Sequence, residues 1–293
     1  MIFLRQADSL GEVSWTGWRT GKMLKGQEIG GFRRVVLVQK AAIRTYNASP
    51  CTARDLDATE KELIKVNSPT QGSQYLLRMA VNSRPDLLTD ALRDSGAINS
   101  REDVVWHSPL PPKYLEHRDA AAVRALSLEE RIRSPLVAFW PSRGPVWDAL
   151  GTAGVDRPIL VEAKAHIPEA VSRIKASSDA SKRLIQKSLT LAQRHYAKKN
   201  KEDWSAPFYQ YANRLAYHYW LREQNKIQSS LVFLYFTNAK DMNGPKTQQE
   251  WLGAIRLIHA VLGLPETMND FDIHHAFLDA RQATIGEKQQ GAN

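Results

Sequence analysis

The chain has 293 residues, and its 40 lysines and arginines outnumber its 31 aspartates and glutamates, which gives a formal net charge of +9 at pH 7. Apolar residues make up 43% of the sequence and aromatic residues 9%, which excludes a disordered or collagen-like chain. The apolar runs fall far short of the ~20 residues that a membrane span needs, and we expect a cytoplasmic protein with no membrane partner. Cys51 is the single cysteine, which excludes an internal disulfide framework and a thiolate zinc site.

Much of the positive charge lies in one segment. Residues 171–201 contain nine lysines and arginines and one acid, so this segment alone carries +8. Such a run is typical of a solvated helix face or of a surface that binds a polyanion. If it binds nucleic-acid phosphates, the candidate residues are Lys182, Arg183, Lys187, Arg194 and Lys198.

The first part of the chain is predicted to form an α+β region. Its residues do not indicate a function for this region. The first fifty residues are rich in glycine and predict a small β-rich unit, with a strand at residues 35–38. Three helices follow, at residues 52–66, 73–81 and 85–93. Three prolines within residues 108–112 interrupt regular structure, and we place a domain boundary there, so that residues 1–112 form the N-terminal region.

Residues 113–285 alternate between helical and strand patterns, and the tail at residues 286–293 is expected to be flexible. The four predicted strands are residues 136–140, 145–150, 159–165 and 230–236. The four predicted helices are residues 119–131, 169–199, 206–224 and 248–262. This order predicts an α/β fold in which helices cover both faces of a mixed sheet.

The third strand of this domain carries two charges within an apolar sequence. Side chains alternate along a strand, so Glu162 and Lys164 project from the same face. A buried charged pair costs free energy unless it is paired or binds an ion. Asp148 lies in the preceding predicted strand, and a short antiparallel connection would bring it close to Glu162. A divalent cation relieves the repulsion between two such carboxylates, so Asp148 and Glu162 are candidate ligands of Mg²⁺, for which Mn²⁺ can substitute.

A structural ion pair between Glu162 and Lys164 at a sheet edge is the alternative. Against it, Glu162 is the only one of the 31 acidic residues that is followed by a lysine two positions later. The spacing also falls inside a predicted buried strand, after a hairpin that bears Asp148.

Residues 139–148 followed by Ile159-Leu-Val-Glu-Ala-Lys164 resemble the PD-(D/E)XK nuclease superfamily, which has the restriction-endonuclease-like fold. The resemblance covers residues 115–265 and includes the order of the helices and strands. It implies that Asp148 and Glu162 hold the metal and that Lys164 is the catalytic lysine. The chain departs from the motif at Trp147, where the superfamily has proline.

The resemblance also implies supporting residues. Some members add a glutamate from the helix before the first strand, and Glu129 lies on the inward stripe of that predicted helix. A solvated Glu-Glu-Arg run is the alternative for Glu129. The helix after the lysine strand often supplies polar residues, for which Gln210, Asn213 and Arg214 are the candidates here. The alternative for these three is a solvated polar face.

The sequence therefore predicts a metal-dependent nuclease in which a metal-activated water attacks a phosphodiester bond, with DNA favoured over RNA as the partner. Lys164 would orient the water or neutralise developing charge. The rival function is that of a non-catalytic nucleic-acid-binding or assembly protein on a nuclease-like scaffold. A second copy of the chain or a regulatory protein is a further partner that the sequence leaves open.

Overall fold

The computed structural model describes residues 70–197 and 202–284, together with the backbone of five strands within the first 45 residues. The chain divides into two compact units, Met1–Val66 and Asn67–Asn293. Within the described part of the chain, none of the helices has the length and apolarity that crossing a membrane requires. The predicted helix at residues 52–66 and the tail at residues 286–293 lie outside the described residues.

The first unit contains a five-stranded antiparallel sheet in which each strand pairs with the next along the chain. Its strands are β1 (Phe3–Ala7), β2 (Val13–Arg19), β3 (Lys22–Ile29), β4 (Phe32–Gln39) and β5 (Ala42–Thr45). The predicted strand at residues 35–38 falls inside β4, in agreement with the predicted β-rich unit.

The second unit is built on a five-stranded mixed sheet with the order β10-β9-β8-β7-β6. Its strands are β6 (Val104–Ser108), β7 (Ala149–Ala153), β8 (Arg157–Lys164), β9 (Ser230–Thr237) and β10 (Ile273–Asp279). Strands β8, β9 and β10 are parallel, whereas β6 and β7 run antiparallel to their neighbours. The predicted α/β fold with a mixed sheet is therefore confirmed at this level.

Helices cover both faces of this sheet. One face packs against α1 (Gly72–Ser83), α2 (Pro85–Asp94) and α8 (Ala280–Ala283). The opposite face packs against α3 (Asp119–Ala125), α4 (Leu136–Phe139), α5 (Asp179–Tyr196), α6 (Tyr209–Tyr219) and α7 (Gln248–Leu262).

The side chains of β8 divide between these two layers. Val161 and Ala163 belong to the core under α1 and α2, and Leu160 belongs to the core under α6. Because side chains alternate along the strand, Glu162 and Lys164 lie on the α6 side, as the two-residue spacing predicts.

The predicted domain boundary at residue 112 is wrong. Strand β6 lies before it, yet pairs with β7 in the same sheet, and helices α1 and α2 pack on that sheet. The compact unit that contains the sheet begins at Asn67 instead. The prolines at residues 108–112 therefore mark the end of an edge strand and not the edge of a domain.

Two predicted strands are also corrected. Residues 136–140 contain the short helix α4 instead of a strand. The prediction is wrong because an apolar run of this length suits either structure. In the structure Phe139 is buried while Val137 is 78% exposed. The strand predicted at residues 145–150 begins only at Ala149, because Trp147 forms a bridge with His117. Asp148 therefore lies just before β7. Neither of the two edge strands of this sheet, β6 and β10, has a counterpart in the prediction.

Several predicted helices are shorter in the structure. The helix predicted at residues 119–131 ends at Ala125, where Ser127 takes a φ of 54° and a 3-10 turn, Glu129–Arg131, follows. The long basic helix begins at Asp179, with Ser178 as its N-cap, since the residues before it are extended. Helix α6 continues as the π-helical turn Trp220–Gln224, and α7 has the predicted bounds.

Candidate active site

The two candidate metal-binding carboxylates meet where β7 begins and β8 ends. Ala149 pairs with Val161 in the antiparallel register, so Asp148 lies beside the end of β8. The Oδ2 atom of Asp148 accepts a hydrogen bond from the backbone N–H of Ala163, at 2.7 Å. The structure therefore brings Asp148 next to Glu162 although Asp148 itself is outside the strand.

Glu162 is enclosed by two cations. It is only 1% exposed, and its Oε1 atom pairs with the Lys164 ammonium group. Its Oε2 atom accepts a hydrogen bond from Nε of Arg214, at 2.7 Å, within a second ion pair. Both carboxylate oxygens thus have a positively charged donor, which is what a buried carboxylate requires.

Helix α6 and the loop before β7 hold the Arg214 guanidinium in place. Its Nη1 atom donates to the side-chain oxygen of Asn213, at 2.8 Å, and its Nη2 atom donates to the backbone oxygen of Val146, at 2.6 Å. The guanidinium carbon also lies 5.0 Å from the centre of the Trp147 ring. Trp147, the residue just before Asp148, is therefore part of the support of this arginine.

The pKa values of the two carboxyl groups are shifted in opposite directions. Burial and the neighbouring charge of Glu162 raise the pKa of Asp148 to about 8. Burial alone would also raise the pKa of Glu162, but Arg214 and Lys164 outweigh it and hold this pKa below its ordinary value. Without a further cation, Asp148 is therefore protonated at neutral pH while Glu162 is ionised.

Glu116 is a third acid that the sequence patterns missed. It is half-buried, and burial together with the charge of Glu162 raises its pKa. The backbone of the next residue, His117, accepts a hydrogen bond from the N–H of Trp147, at 2.9 Å, which fixes this loop beside Asp148. Glu116 precedes α3 in an irregular segment, so no helical or strand periodicity pointed to it.

Glu129, the third ligand suggested by the resemblance, lies elsewhere. It is exposed on the 3-10 turn and lines an apolar depression with Val123, Leu136 and Trp220. The helix was expected to carry Glu129 inward, but it ends at Ala125 and removes the stripe on which this expectation rested. The structure therefore favours the alternative interpretation, in which Glu129 is a solvent-exposed side chain.

The three polar candidates of α6 separate into two groups. Asn213 and Arg214 are buried at 8% and 3% exposure and belong to the site, which contradicts the reading as a solvated face. Gln210 is half-buried, and its backbone N–H donates to Ser172 Oγ at 2.7 Å. Gln210 lines a groove to which Arg214 also contributes.

The basic residues of α5 lie on its outer surface. All four that the structure describes are exposed, namely Lys182, Arg183, Lys187 and Arg194. The core-facing side of α5 is formed instead by residues such as Ile185, Leu189 and Ala192. Lys198 lies outside the described residues.

A different set of cations lines the groove beside the site, which we call the basic groove. Its volume is about 850 Å³. Its lining includes Trp140, Arg143, Arg173, Lys175, Tyr209 and Arg214, and among the residues that the structure describes no acid belongs to it. Arg173 and Lys175 belong to the predicted basic segment, but they lie in the extended stretch before α5.

The donor chemistry of the site fits Mg²⁺. Among residues 70–197 and 202–284, no group of three or more histidines, cysteines or acids has the arrangement of a metal site. Mg²⁺, however, is commonly held by one or two carboxylates, several waters and a substrate phosphate. Asp148 and Glu162 supply oxygen ligands and repel each other when both are ionised, as the raised pKa of Asp148 indicates.

Comparison with known proteins gives no further assignment: no protein-family model, no curated protein and no solved structure matches the chain.

Replacing Arg214 with alanine is predicted to lower the free energy of unfolding by about 3–5 kcal/mol, because Glu162 would keep only one of its two cationic partners in a buried position. Urea denaturation measures this change. The matched control is Arg256→Ala, which removes an exposed pair with Glu266 at 3.8 Å and should cost at most about 1 kcal/mol. Equal losses in the two variants would contradict the structural role of Arg214.

Asp148→Asn is predicted to change how stability depends on pH. The folded-state pKa of about 8 lies above the unfolded value of 3.8, so the protonated form stabilises the fold at low pH. This contribution is lost as the pH rises towards 8. Relative to Asp148→Asn, the wild type should lose up to about 1.4 kcal/mol per pH unit between about pH 5 and 8, the linkage of one proton. Urea titrations in EDTA measure it, and parallel pH profiles would refute the assignment.

Proposed function

We propose that the chain is a metal-dependent nuclease that hydrolyses phosphodiester bonds, with DNA favoured over RNA. The single observation that supports this most is the adjacency of Asp148, just before β7, to Glu162, which shares one face of β8 with Lys164. Two carboxylates and a lysine are the groups that a metal-assisted attack of water on a phosphodiester needs. The mixed sheet and the resemblance around these residues make the restriction-endonuclease-like fold the finer proposal.

Asp148 and Glu162 would hold Mg²⁺ or Mn²⁺, with Glu116 near enough to add negative charge to the site. The ion, when bound, supplies Lewis-acid polarisation of a phosphoryl oxygen and lowers the pKa of a water ligand. Asp148 must lose its proton to serve as a ligand, and a positive charge next to it favours that loss.

Lys164 and Arg214 carry the positive charge of the site itself. The Lys164 ammonium group has three donors and bonds Glu162 and, at 3.3 Å, the backbone oxygen of Ala163. A remaining donor can orient a water or an oxygen of the phosphate. Arg214 has its guanidinium fixed on four sides, so its role is to keep Glu162 ionised and correctly oriented.

The rival function, a non-catalytic nucleic-acid-binding or assembly protein, has one observation in its favour. Lys164 and Arg214 already neutralise Glu162, so the three residues could serve only to stabilise the fold. In that case the basic groove would be the functional surface. A second copy of the chain or a regulatory protein would then be the further partner in an assembly on nucleic acid.

The discriminating experiment compares the wild type with Lys164→Ala in a plasmid and oligonucleotide cleavage assay with Mg²⁺. We expect cleavage to fall by at least about 100-fold, the effect of removing one electrostatic group from such a site, while nucleic-acid binding is retained. Lys187→Ala, which removes an exposed lysine of α5, is the control and should cleave normally.

Undiminished cleavage by Lys164→Ala would sink the proposed role of this lysine. If the wild type binds nucleic acid but neither Mg²⁺ nor Mn²⁺ supports cleavage, the binding protein is the better account. Retained binding also shows that Lys164→Ala remains folded.

A further inference from the structure

The basic groove is a binding surface that the proposed chemistry leaves without an assigned occupant. It adjoins the site, because Asn213 and Arg214 belong to its lining. Three exposed cations lie along it, Arg143, Arg173 and Lys175. Among the described residues, the ion pairs do not include any of these three cations. Their charge is therefore available to a ligand.

The backbone fixes two of these cations in a row. Side-chain exposure alternates along residues 171–176, as it does in an extended strand. Two backbone hydrogen bonds hold this segment against residues 205–207. The N–H of Ser172 donates to the oxygen of Pro207 at 2.6 Å, and the N–H of Ile174 donates to the oxygen of Ser205 at 3.1 Å. Arg173 and Lys175 thus project to the same side, with Cα atoms about 6.6 Å apart in extended backbone. This separation resembles that of successive phosphates along one nucleic-acid strand.

Arg143 also lines the groove, in a loop that is held by Asp119. The Asp119 carboxylate accepts hydrogen bonds from the backbone N–H groups of Arg143 and Gly144, at 3.0 and 2.9 Å. A Cβ atom at Gly144 would come within 2.6 Å of that carboxylate, so the close approach requires glycine. The carboxylate is thereby turned to the backbone, and the Arg143 side chain remains exposed.

An aromatic side chain adds a contact that phosphate binding alone does not need. Tyr209 is half-buried and belongs to the lining of the groove, as do the three cations and Arg214. Aromatic rings next to a basic track are typical of sites for single strands, because unpaired bases can stack on them. A duplex keeps its bases stacked inside, and placing one against Tyr209 would cost the free energy of unpairing and unstacking that base. A volume of about 850 Å³ also suits a few nucleotides of one strand.

We propose that the basic groove binds a single strand of nucleic acid, with successive phosphates on Arg143, Arg173 and Lys175 and an unpaired base against Tyr209. The proposal rests on the proposed nuclease function in that it names the substrate class of the same site. It also separates two parts of the basic segment: Arg173 and Lys175 contact the strand, whereas Arg183 and Lys187 on the outer face of α5 do not.

The test measures fluorescence anisotropy of labelled oligothymidylate of about 12 nucleotides, with a duplex of the same length as the competitor, in EDTA so that no cleavage occurs. The wild type should bind the single strand at least about fivefold more tightly than the duplex, the smallest effect expected of one stacked base. In Arg173→Ala/Lys175→Ala, affinity should fall, and the slope of log K against log salt should decrease by about 1.4, the value for two phosphate contacts to a single strand.

Arg183→Ala/Lys187→Ala is the matched control, because it removes the same net charge from the exposed face of α5. It should leave affinity and salt slope unchanged. Tyr209→Ala should weaken binding by at least about fivefold, while Tyr209→Phe, which keeps the ring, should bind like the wild type. Thermal unfolding of each variant confirms that it is folded.

The proposal is overturned if oligothymidylate does not bind, if the duplex binds as tightly, or if the two double variants lose affinity equally. Its failure is distinguishable from failure of the nuclease function. Groove-dependent binding in EDTA without cleavage in Mg²⁺ would reject the nuclease and keep the groove. Mg²⁺-dependent cleavage that is lost in Lys164→Ala but unchanged in the Arg173/Lys175 and Tyr209 variants would keep the nuclease and reject the groove.

Discussion

The carboxylate of Glu162 is almost completely withdrawn from water, and the ion pairs with Lys164 and Arg214 are what make this burial possible. An isolated carboxylate at this depth would take up a proton or unfold its surroundings. Because both of its oxygens are paired with cations, Glu162 stays ionised. Its negative charge then disfavours ionisation of the neighbouring acids. The raised pKa values of Asp148 and Glu116 are consequences of that arrangement, together with their own burial.

The architecture explains why the charges gather at this point of the sheet. Strand β8 lies in the middle of the sheet and is covered on both faces, so most of its length must be apolar. Charged residues can be accommodated at its C-terminal end, where β7 begins and where α6 supplies Arg214 from above. The free energy cost of this polar cluster is offset by complete pairing, with Asn213, Val146 and Trp147 supporting the guanidinium.

Structural features that follow from local patterns could be predicted from the sequence. The two-residue period of a strand is sufficient to place Glu162 and Lys164 on one face, and the amphipathic period of residues 248–262 defines α7. The hairpin between Asp148 and Glu162 is short, so their proximity also followed. Local apolar content did not distinguish helix from strand at residues 136–140, because a five-residue apolar run satisfies both.

Features that depend on distant contacts could not be predicted in this way. Glu116 reaches the site because His117 pairs with Trp147, and nothing in the neighbouring residues signals that bridge. Arg214 was a candidate for polar contact, but its pairing with Glu162 depends on how α6 crosses the sheet. The backbone conformation likewise decides where each basic residue lies. Arg173 and Lys175 line the groove because residues 171–176 are extended, whereas the next cations lie on the outer face of α5.

We propose that Asp148 and Glu162 together hold a divalent cation, and Mn²⁺ binding measured by electron paramagnetic resonance tests this proposal most directly. The wild type is predicted to bind one Mn²⁺, Asp148→Asn and Glu162→Gln to lose it, and Glu129→Gln, altered at an exposed acid away from the pair, to retain it. Absence of bound Mn²⁺ in the wild type, or binding that is unchanged in Asp148→Asn and Glu162→Gln, would contradict the account.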